Sequence, residues 1–535
     1  MQIVINNIKM PVNHKIEDVL LAAQEFVRQQ CIYADNFYIY RQSIDARHKK
    51  SIKYIYSVAA EVNNGAKILP NSNLQIISQN DEIKVESKKM FKKRPVVVGM
   101  GPCGLFTAYI LTLSGNPPLI IEHGGMVEER VKSVEEFWNS GKLNTESNVQ
   151  FGEGGAGTFS DGKLNTGIKD KRQRFILKTF VRFGAPNDIL YKSKPHIGTD
   201  KLRNVLINMR KYLLDNGCEI QFNTTLTSLK MRNGKVSEIE LNNDKVIECD
   251  KLFLSIGHSS RDTYEMLYKA GVKIEAKPFA AGVRIEHKQE FISRSQYGVE
   301  WKSLPLADYK LVYNGKDRSC YSFCMCPGGY VVNASSEDER LVVNGMSDYK
   351  RDAENANSAL VVSVRPEDFE TNSPLAGIEF QRKYESMAFK LGGSDFSAPV
   401  QLAKDFLTGK KSSQLESVNP SFTGKTVLSD LRSCLPKFIS VTLSEGLRYF
   451  DNKIKGFASG GAIMTGVEMR TSAPVKIARD SNFESVGIQG LYPAGEGAGY
   501  AGGIISAALD GIRVALAAIE SCNTGYSWLK TFNIV

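Results

Sequence analysis

The segment at residues 96–107 constrains the fold more strongly than any other part of the chain. Three valines, Val96–Val98, lead into the sequence GMGPCG, and a helix-forming apolar stretch follows. In this G-x-G-x-x-G spacing, Gly99 permits a tight turn and Gly101 allows a pyrophosphate to approach the backbone. Gly104 lets the following helix pack closely on the strand, and the helix N-terminus faces the phosphate. The segment therefore predicts a βαβ unit that binds a dinucleotide.

An acidic residue follows this motif at the distance that such a site requires. A second apolar run ends at residue 121, and Glu122 comes directly after it. In dinucleotide-binding folds, a carboxylate at the end of the second strand holds a ribose hydroxyl. The alternative, an incidental glycine turn, explains neither the flanking strand nor the position of Glu122.

The length and composition are typical of a folded enzyme with several domains. The chain has 535 residues, of which 42% are hydrophobic and 24% charged, so we expect about two to four domains. No apolar run approaches the roughly 18 residues that a membrane helix needs, and no secretory signal is recognised. Nine cysteines, an odd number, favour a reducing compartment over a disulfide framework. The expected location is the cytoplasm.

Basic charge is concentrated in the N-terminal part of the chain. The net charge is +10, and residues 1–94 hold 15 Lys and Arg against 9 Asp and Glu. A basic hairpin tip is predicted at residues 47–50. This charge is compatible with a nucleic-acid partner, although the segment has no interleaved aromatics and no RNA-binding signature. A solvated basic face is the alternative interpretation.

Hydrophobic periodicity places the elements on either side of the glycine motif. Before the motif, it predicts strands at residues 2–8, 37–43, 53–62, 74–77 and 82–85 and a helix at 16–30. After it, we expect helices up to about residue 141 and at 200–216, strands at 219–222 and 251–256, and a meander at 226–231, 236–241 and 245–248. Thr199 or Asp200 is expected to cap the helix at 200–216. The order of helix, strand, meander, strand and Gly257 is typical of a flavoprotein dinucleotide fold.

A glycine-rich segment at residues 151–163 reads FGEGGAGTFSDGK. So many glycines cannot form a packed helix or strand cheaply. Backbone amides together with the hydroxyls of Thr158 and Ser160 suit a loop wrapped around a phosphate or a flavin edge. A flexible surface loop is the alternative.

The region from about residue 273 to 470 contains no second glycine motif after a strand, so no separate nicotinamide domain is visible. The predicted elements are strands at residues 281–287, 310–312 and 330–333, with helices near 348–360 and 378–391. We assign this region to a substrate-covering domain that is inserted into the nucleotide fold.

Two cysteines in this region are close in sequence. Cys324 and Cys326 would share one face of an extended strand, with Met325 on the other. A paired role beside the cofactor is geometrically possible, but structural cysteines in a strand are the favoured interpretation. No metal site is predicted, because a second ligand pair with suitable spacing is lacking. Cys434 is predicted to be a core residue.

The segment at residues 490–511 decides the cofactor. A strand ends in a carboxylate among glycines, Glu496, and Gly502, Gly503 and Ile504 lead into a helix of small residues. In FAD proteins, such a strand places an acid on the ribityl chain. The helix N-terminus then faces the flavin carbonyl edge, where negative charge grows on reduction. The sequence therefore predicts FAD.

These patterns together predict an α/β protein with an inserted domain. The predicted domains are a small N-terminal α/β domain with a ferredoxin-like βαββ start (1–90), a Rossmann-like FAD-binding domain with a parallel sheet and a β-meander in two parts (91–272 and 476–535), and an inserted mixed α+β substrate domain (273–475).

The chain resembles the FAD-dependent dehydrogenases of the flavoprotein family that includes glutathione reductase, in the branch without a separate NAD(P)H domain. More closely, it is similar to a bacterial group of uncharacterised FAD-dependent, NAD-utilising dehydrogenases with an extra N-terminal α/β domain. The likeness covers nearly the whole chain. It is carried by residues 43–47, 154–164, 326–329, 466–474 and 490–511.

The resemblance implies roles for particular residues. The ADP half of FAD would lie at the glycine motif and Glu122, the ribityl–pyrophosphate region at Glu496, and the flavin ring at residues 502–504. The full set of expected cofactor-binding residues is Gly99, Gly101, Pro102, Cys103, Gly104, Glu122, His123, Gly155, Ala156, Gly157, Thr158, Ser160, Gly257, Gly495, Glu496, Gly502, Gly503 and Ile504. The catalytic candidates are Cys324, Cys326 and Arg470; Arg470 would bind an anionic substrate group, with a structural arginine as the alternative.

The leading functional hypothesis is an FAD-dependent oxidoreductase. It would pass a hydride to or from flavin N5 with a small-molecule substrate, and NAD(P)H would act as a transient reductant. One alternative is a flavin-containing RNA-modifying or nucleic-acid-binding protein that uses the basic N-terminal domain. Another is a flavin-stabilised scaffold without turnover.

Overall fold

The computed structural model describes residues 1–63, 68, 71, 73–77, 83, 91–459 and 461–522. These residues form a mixed α/β fold with parallel and antiparallel sheets. In this part of the chain no helix is both long and apolar enough to cross a membrane. Of the strand predicted at residues 82–85, residues 82, 84 and 85 lie outside the described residues.

The first sheet is antiparallel and is built from the start of the chain. Its elements are β1 (Gln2–Met10), α1 (Ile16–Gln29), β2 (Ala34–Asp45), β3 (Lys53–Val62) and β4 (Leu74–Ile77). The strand order is β2-β3-β1-β4, so β3 separates β1 from β2 in a split β-α-β arrangement. Val19, Ala23 and Val27 share one face of α1 and are buried in the core of this sheet.

The edge of β2 joins this sheet to the rest of the molecule. Gln42 N donates to Tyr191 O at 2.7 Å, and Ser193 N donates to Gln42 O at 2.9 Å. The guanidinium of Arg174 also lies 4.8 Å above the Tyr40 ring. β2 is therefore held to residues 191–193 by backbone hydrogen bonds on its outer edge.

The central sheet is parallel and begins at the glycine motif. Its elements and their neighbours in sequence are β5 (Val96–Val98), α2 (Pro102–Leu113), β6 (Leu119–Ile121), α3 (Val127–Ser140), α4 (Arg172–Arg182), α5 (Thr199–Asp215), β7 (Glu219–Gln221), β8 (Leu226–Arg232), β9 (Lys235–Leu241), β10 (Lys245–Glu248), β11 (Leu252–Leu254), α6 (Arg261–Lys269) and β12 (Ile274–Ala276). With β23 (Leu491–Pro493) from the C-terminal part, the strand order is β23-β11-β5-β6-β7, and every pairing is parallel. The antiparallel meander β8-β9-β10 is present as predicted.

Small residues allow α11 (Ile504–Glu520) to pack closely on α2 over one face of this sheet. A Cβ atom on Gly511 would lie only 2.3 Å from Cys103 O, so no larger residue fits at this crossing. Gly198 precedes α5 as its N-cap, which corrects the predicted cap at Thr199 or Asp200. Those two side chains bind elsewhere: Thr199 Oγ1 donates to Thr158 O at 2.5 Å, and Asp200 accepts from the Tyr349 amide at 2.8 Å.

The third large sheet belongs to the inserted region. Its elements and neighbours are β13 (Phe279–Lys288), α7 (Gln289–Tyr297), β14 (Val312–Asn314), β15 (Ser319–Cys326), β16 (Tyr330–Asn333), β17 (Val343–Met346), β18 (Asn355–Val364), α8 (Ala376–Leu391), β19 (Ala398–Leu402), α9 (Ala403–Thr408), β20 (Thr426–Leu428), α10 (Lys437–Lys453) and β21 (Ile463–Glu468). The strand order is β14-β15-β18-β13-β21-β19-β20. A short pair, β16 with β17, lies beside it, and β22 (Val475–Ile477) pairs with β12.

Two predictions for this region are wrong. The helix expected near residues 348–360 is absent, because residues 355–364 form β18 near the centre of the sheet. Nearly every residue of β18 is buried, so its sequence lacks the polar and apolar alternation of a half-exposed strand. The strand expected at 310–312 is shifted, since β14 begins at Val312.

Candidate functional site

The glycine motif after β5 packs so tightly that no side chain fits at two of its positions. A Cβ atom on Gly99 would lie 2.3 Å from Ser255 O, and one on Gly104 would lie 1.8 Å from Gly99 O. Gly99 also has a φ of +95°, which residues with a side chain rarely adopt. The geometry gives both glycines the turn and packing roles that their spacing predicts.

The N-terminus of α2 lies directly after this turn. Gly101 is the N-cap, Pro102 is the first helical residue, and the N-cap supplies no side-chain acceptor for the backbone N–H groups of the first turn. Those N–H groups and the helix dipole together favour an anion at this position.

Two further glycine loops close on this helix terminus. A Cβ atom on Gly155 would lie 3.1 Å from Gly101 Cα, and one on Gly495 would lie 2.7 Å from Cys103 Cβ. The Cys103 thiol accepts a hydrogen bond from Ser255 Oγ at 3.3 Å, and burial raises its pKa to about 12. The Cys103 side chain is therefore packed in the interior, while binding of the cofactor by Cys103 at the start of α2 stays a prediction.

One side of the convergence is open. Gly257, Gly502 and Gly503 have no heavy atom within 4 Å of a Cβ position. Gly502 and Gly503 line a cavity of about 470 Å³ together with residues 165–168, 499–501 and Ser506. A Cβ atom on Gly157 would lie 3.4 Å from Ile504 Cγ1, and Ala156 precedes Gly157 in a short 3₁₀ turn at Gly155–Phe159.

Glu122 is buried, and its carboxylate ties three backbone segments together. Oε2 accepts from Met100 N at 2.7 Å, while Oε1 accepts from Gly152 N at 2.9 Å and Gly124 N at 3.1 Å. Oε2 has one further acceptor position, at which the predicted ribose hydroxyl would bind. His123, the next residue, has both ring nitrogens engaged, by Thr225 and Glu146, so it offers no free nitrogen to a cofactor.

The glycine-rich loop is largely buried, so the alternative of a flexible surface loop is wrong. The fully buried guanidinium of Arg130 holds its shape. Arg130 donates to the carbonyl oxygens of Asn148, Val149, Gly152 and Glu153 and to Thr158 Oγ1 over 2.7–3.2 Å.

The hydroxyls of this loop serve its own backbone. Thr158 Oγ1 donates to Glu153 O at 3.1 Å, and Ser160 Oγ donates to Gly157 O at 2.7 Å and accepts from Gly162 N at 3.1 Å. These bonds stabilise the turns between glycines. The prediction that the two hydroxyls bind the cofactor is corrected accordingly.

The loop after β23 is fixed by an ion pair that the sequence reasoning missed. Asp510, buried in α11, accepts from Gly495 N at 2.7 Å and from two nitrogens of Arg479 at 2.7 and 2.9 Å. An acid in the middle of an otherwise largely apolar helix was the available signal. Glu496, in contrast, finds no hydrogen-bond partner among the described residues, and burial raises its pKa to about 7 against the opposing charge of Lys277.

Arg470 is placed in a structural ion-pair network. It donates to both oxygens of Glu385 at 2.9 and 2.7 Å, to Glu337 at 3.4 Å, and to the hydroxyls of Ser259 and Ser336. All five of its N–H donors are therefore used. This corrects the prediction that Arg470 binds a substrate anion and favours the structural alternative.

The two candidate cysteines do not share a face. The register of β15 shifts between Phe323 and Cys326, and Cys324 adopts a φ of +43° at this bulge. As a result Cys324 is accessible to solvent, whereas Cys326 and Met325 are buried. The protein around the Cys324 thiol nevertheless disfavours its charged form by desolvation, which raises the pKa of Cys324 to about 11.

A polar cluster that the sequence reasoning missed lies beside these cysteines. Lys163, at the end of the glycine-rich loop, donates to Cys326 Sγ at 3.5 Å and lies 3.1 Å from Asp161 Oδ2. Asp161 also accepts from Arg351 at 2.9 and 2.5 Å and from Ser347 Oγ. Burial opposes the charge of Asp161, but Lys163 and Arg351 outweigh it and lower its pKa to about 2.

A buried arginine connects this cluster to the inserted sheet. Arg284 is fully buried and pairs with Glu468. It also donates to Cys324 O at 3.1 Å, to Asn357 at 3.0 Å and to Asn344 at 2.9 Å. Burial disfavours its charge, yet Glu468 outweighs this effect and the pKa of Arg284 is raised. An arginine and a glutamate within otherwise apolar strands were the sequence signal.

Comparison with known proteins agrees with a flavoprotein assignment. Residues 278–471 match the family model described as "FAD-dependent protein, C-terminal domain-like", and residues 1–61 match a domain of unknown function. A Clostridium beijerinckii protein described as uncharacterized is 51% identical over 490 residues, which are 90% of this chain and 92% of that protein. The chain belongs to the family of this clostridial protein. The FAD-dependent part of the predicted resemblance is confirmed by the domain match, while the glutathione-reductase-like subgroup stays a prediction.

The solved structures that are similar to this chain share little sequence identity with it. Glycine oxidase from Bacillus cereus is 10% identical, covering 81% of this chain and 96% of that one, with a TM-score of 0.35. CtdE in complex with FAD is 11% identical, covering 80% and 87%, with a TM-score of 0.31. The flavin-dependent brominase Bmp2 is 12% identical, covering 81% and 80%, with a TM-score of 0.36. At such low TM-scores these backbones have no bearing on the function of this chain.

Proposed function

We propose that this protein is an FAD-dependent oxidoreductase that acts on a small-molecule substrate. The observation that carries the proposal is the convergence of glycine loops around the N-terminus of α2, with an open side at Gly257, Gly502 and Gly503. The match of residues 278–471 to a FAD-dependent protein domain supports FAD as the dinucleotide.

The residues present fit FAD. The adenosine and pyrophosphate part would lie beside Gly101 and Gly155, where two backbones meet without side chains, and Glu122 Oε2 has an acceptor position left for a ribose hydroxyl. The flavin end would lie at the cavity lined by Gly502 and Gly503, ahead of α11. When bound, FAD would supply two-electron transfer at its isoalloxazine ring.

The chain's own groups would tune that site. The N-terminus of α11 carries partial positive charge, which favours the electron-rich reduced ring. Glu496, with a pKa raised to about 7, would present a carboxyl group able to donate or accept a hydrogen bond near neutral pH.

We further propose that NAD(P)H would bind only transiently at the flavin. Among the described residues, β5, β6, β7, β11 and β23 form the single fully parallel sheet, so the usual second dinucleotide unit has no counterpart there. A reductant of this kind would have to approach through the open cavity.

Two measurements test the proposed function. Purified protein should carry a flavin absorbance spectrum, and heat-released cofactor should be FAD by chromatography. Anaerobic mixing with NADH or NADPH should then remove the oxidised-flavin absorbance. A protein that neither copurifies with FAD nor binds added FAD refutes the cofactor assignment, whereas failure of both nicotinamides refutes only the reductant.

A further inference from the structure

The ammonium group of Lys163 lies between the glycine-rich loop, where it contacts Asp161, and β15 of the inserted sheet, where it contacts Cys326. Its side chain remains 31% exposed although protein surrounds it on several sides. Nζ contacts Asp161 at 3.1 Å and Cys326 Sγ at 3.5 Å. An ammonium has three donors, and no acceptor for the third is found among the described residues. One N–H is therefore available to a ligand.

The charges around Lys163 leave it without full compensation. Asp161 is already engaged by two nitrogens of Arg351, and Arg284 is matched by Glu468. Counting these groups with Lys163 gives three positive and two negative charges. His196, whose backbone pairs with that of Lys163, has its pKa lowered by burial and adds no charge at neutral pH. The cluster thus carries one excess positive charge.

The bulge at Cys324 lies on β15, the strand that also carries Cys326, the thiol that Lys163 contacts. Its positive φ turns the carbonyl onto Arg284 Nη1 at 3.1 Å and leaves the small thiol side chain accessible. Left-handed backbone is strained at a residue other than glycine, and such strain concentrates at binding and catalytic sites. A small, accessible side chain in a strained backbone therefore lies two residues from the cysteine that Lys163 contacts.

We propose that Lys163 is the recognition group for the carboxylate of an organic-acid substrate. The inference rests on the proposed flavin function for the reaction, but not for the binding itself. The other anion that could meet Lys163 is the pyrophosphate of the cofactor. The contact of Nζ with Cys326 favours the substrate, because Cys326 lies on β15 of the inserted sheet and not at the N-terminus of α2.

Calorimetric titration of the FAD-loaded protein tests this proposal. The probes are acetate and benzoate, with acetamide and benzamide as neutral molecules of the same shape. Lys163→Met removes the charge and keeps the stem, Lys163→Arg keeps the charge, and Lys169→Met is the matched control at an exposed lysine of the same segment. Equilibrium dialysis of FAD against each variant measures cofactor affinity separately.

We expect at least one carboxylate to bind the native protein about tenfold or more tightly than its amide. Lys163→Met should weaken that binding about 10- to 100-fold, Lys163→Arg by less than about threefold, and Lys169→Met not at all. Carboxylates that do not bind, or that bind Lys163→Met unchanged, overturn the proposal. So does a Lys163→Met variant that loses FAD affinity instead. If the protein binds no FAD, the proposed function fails, while titration of the flavin-free protein still decides the role of Lys163.

Discussion

Replacing Glu385 with glutamine removes the carboxylate that two buried arginines share. Glu385 is fully buried in α8 and accepts from Arg470 at 2.9 and 2.7 Å and from Arg261 at 2.8 and 2.9 Å. Arg261 begins α6 behind the central sheet, whereas Arg470 follows β21 of the inserted sheet. The three residues therefore join the two sheets through four charge-assisted hydrogen bonds.

The expected loss of stability follows from the two arginine charges that Glu385→Gln leaves without their shared carboxylate. Two buried guanidinium groups would then share Glu337, which also serves Arg340 and Arg382. Breaking a buried ion pair by removing one partner costs about 3–5 kcal/mol, since the remaining charge stays desolvated and unmatched. We therefore expect the free energy of unfolding to fall by about 3–5 kcal/mol.

The same substitution should change the pH dependence of stability. The two arginines outweigh burial and hold the pKa of Glu385 well below its ordinary value. A carboxyl whose pKa is lower in the folded state stabilises the protein above its unfolded pKa of about 4.3, and this contribution is lost as the pH falls below that value. The stability difference between the native protein and Glu385→Gln should therefore shrink as the pH falls from about 5 toward 3.

Urea unfolding followed by circular dichroism measures both effects. Glu379→Gln is the matched control, because Glu379 lies on the same helix, is 68% exposed and pairs with Arg382 at the surface. It should cost less than about 0.5 kcal/mol. A Glu385→Gln variant within 1 kcal/mol of the native protein, on the order of the control, would contradict the buried network.

Three further outcomes are expected. Gly104→Ala should abolish FAD retention and lower the melting temperature, because the new Cβ would lie 1.8 Å from a carbonyl oxygen. Gly502→Ala should weaken FAD binding but leave the melting temperature of the flavin-free protein unchanged, because no heavy atom lies within 4 Å of the new Cβ. Because the pKa of Glu496 is raised to about 7, ionisation of Glu496 destabilises the fold as the pH rises from about 4.5 through 7. Over that pH range the melting temperature of flavin-free Glu496→Gln should therefore decline less than that of the flavin-free native protein. Ser193→Pro removes the N–H that donates to Gln42 O, whereas Ser193→Ala keeps it. Limited proteolysis should therefore cleave the chain between the N-terminal sheet and the rest of the protein faster in Ser193→Pro than in Ser193→Ala.

Local patterns determined most elements of the fold. The meander and the helices α1, α3 and α5 follow from periodicity and turn residues, because each has one buried and one exposed face. β18 escaped prediction because it is covered on both sides, and a strand buried throughout has no alternation to read. The shifted register at Cys324 was also beyond sequence reasoning, since a bulge is set by its partner strand.

The candidate site, like the fold, is partly predictable from the sequence and partly decided by tertiary contacts. The glycine spacing after Val96–Val98 and the acid at Glu122 belong to one βαβ unit of fixed geometry, so the chain alone predicted that a tight glycine turn forms there with an acid beside it. In contrast, residues that are distant in the sequence decide which hydroxyls and charged groups remain free to bind a ligand. Arg470 lost its predicted role because Glu385 lies beside it, and Lys163 contacts Cys326 because β15 meets the glycine-rich loop. Only the tertiary structure decided these pairings, because hydrogen-bond donors are exhausted or left free by three-dimensional contact and not by residue type.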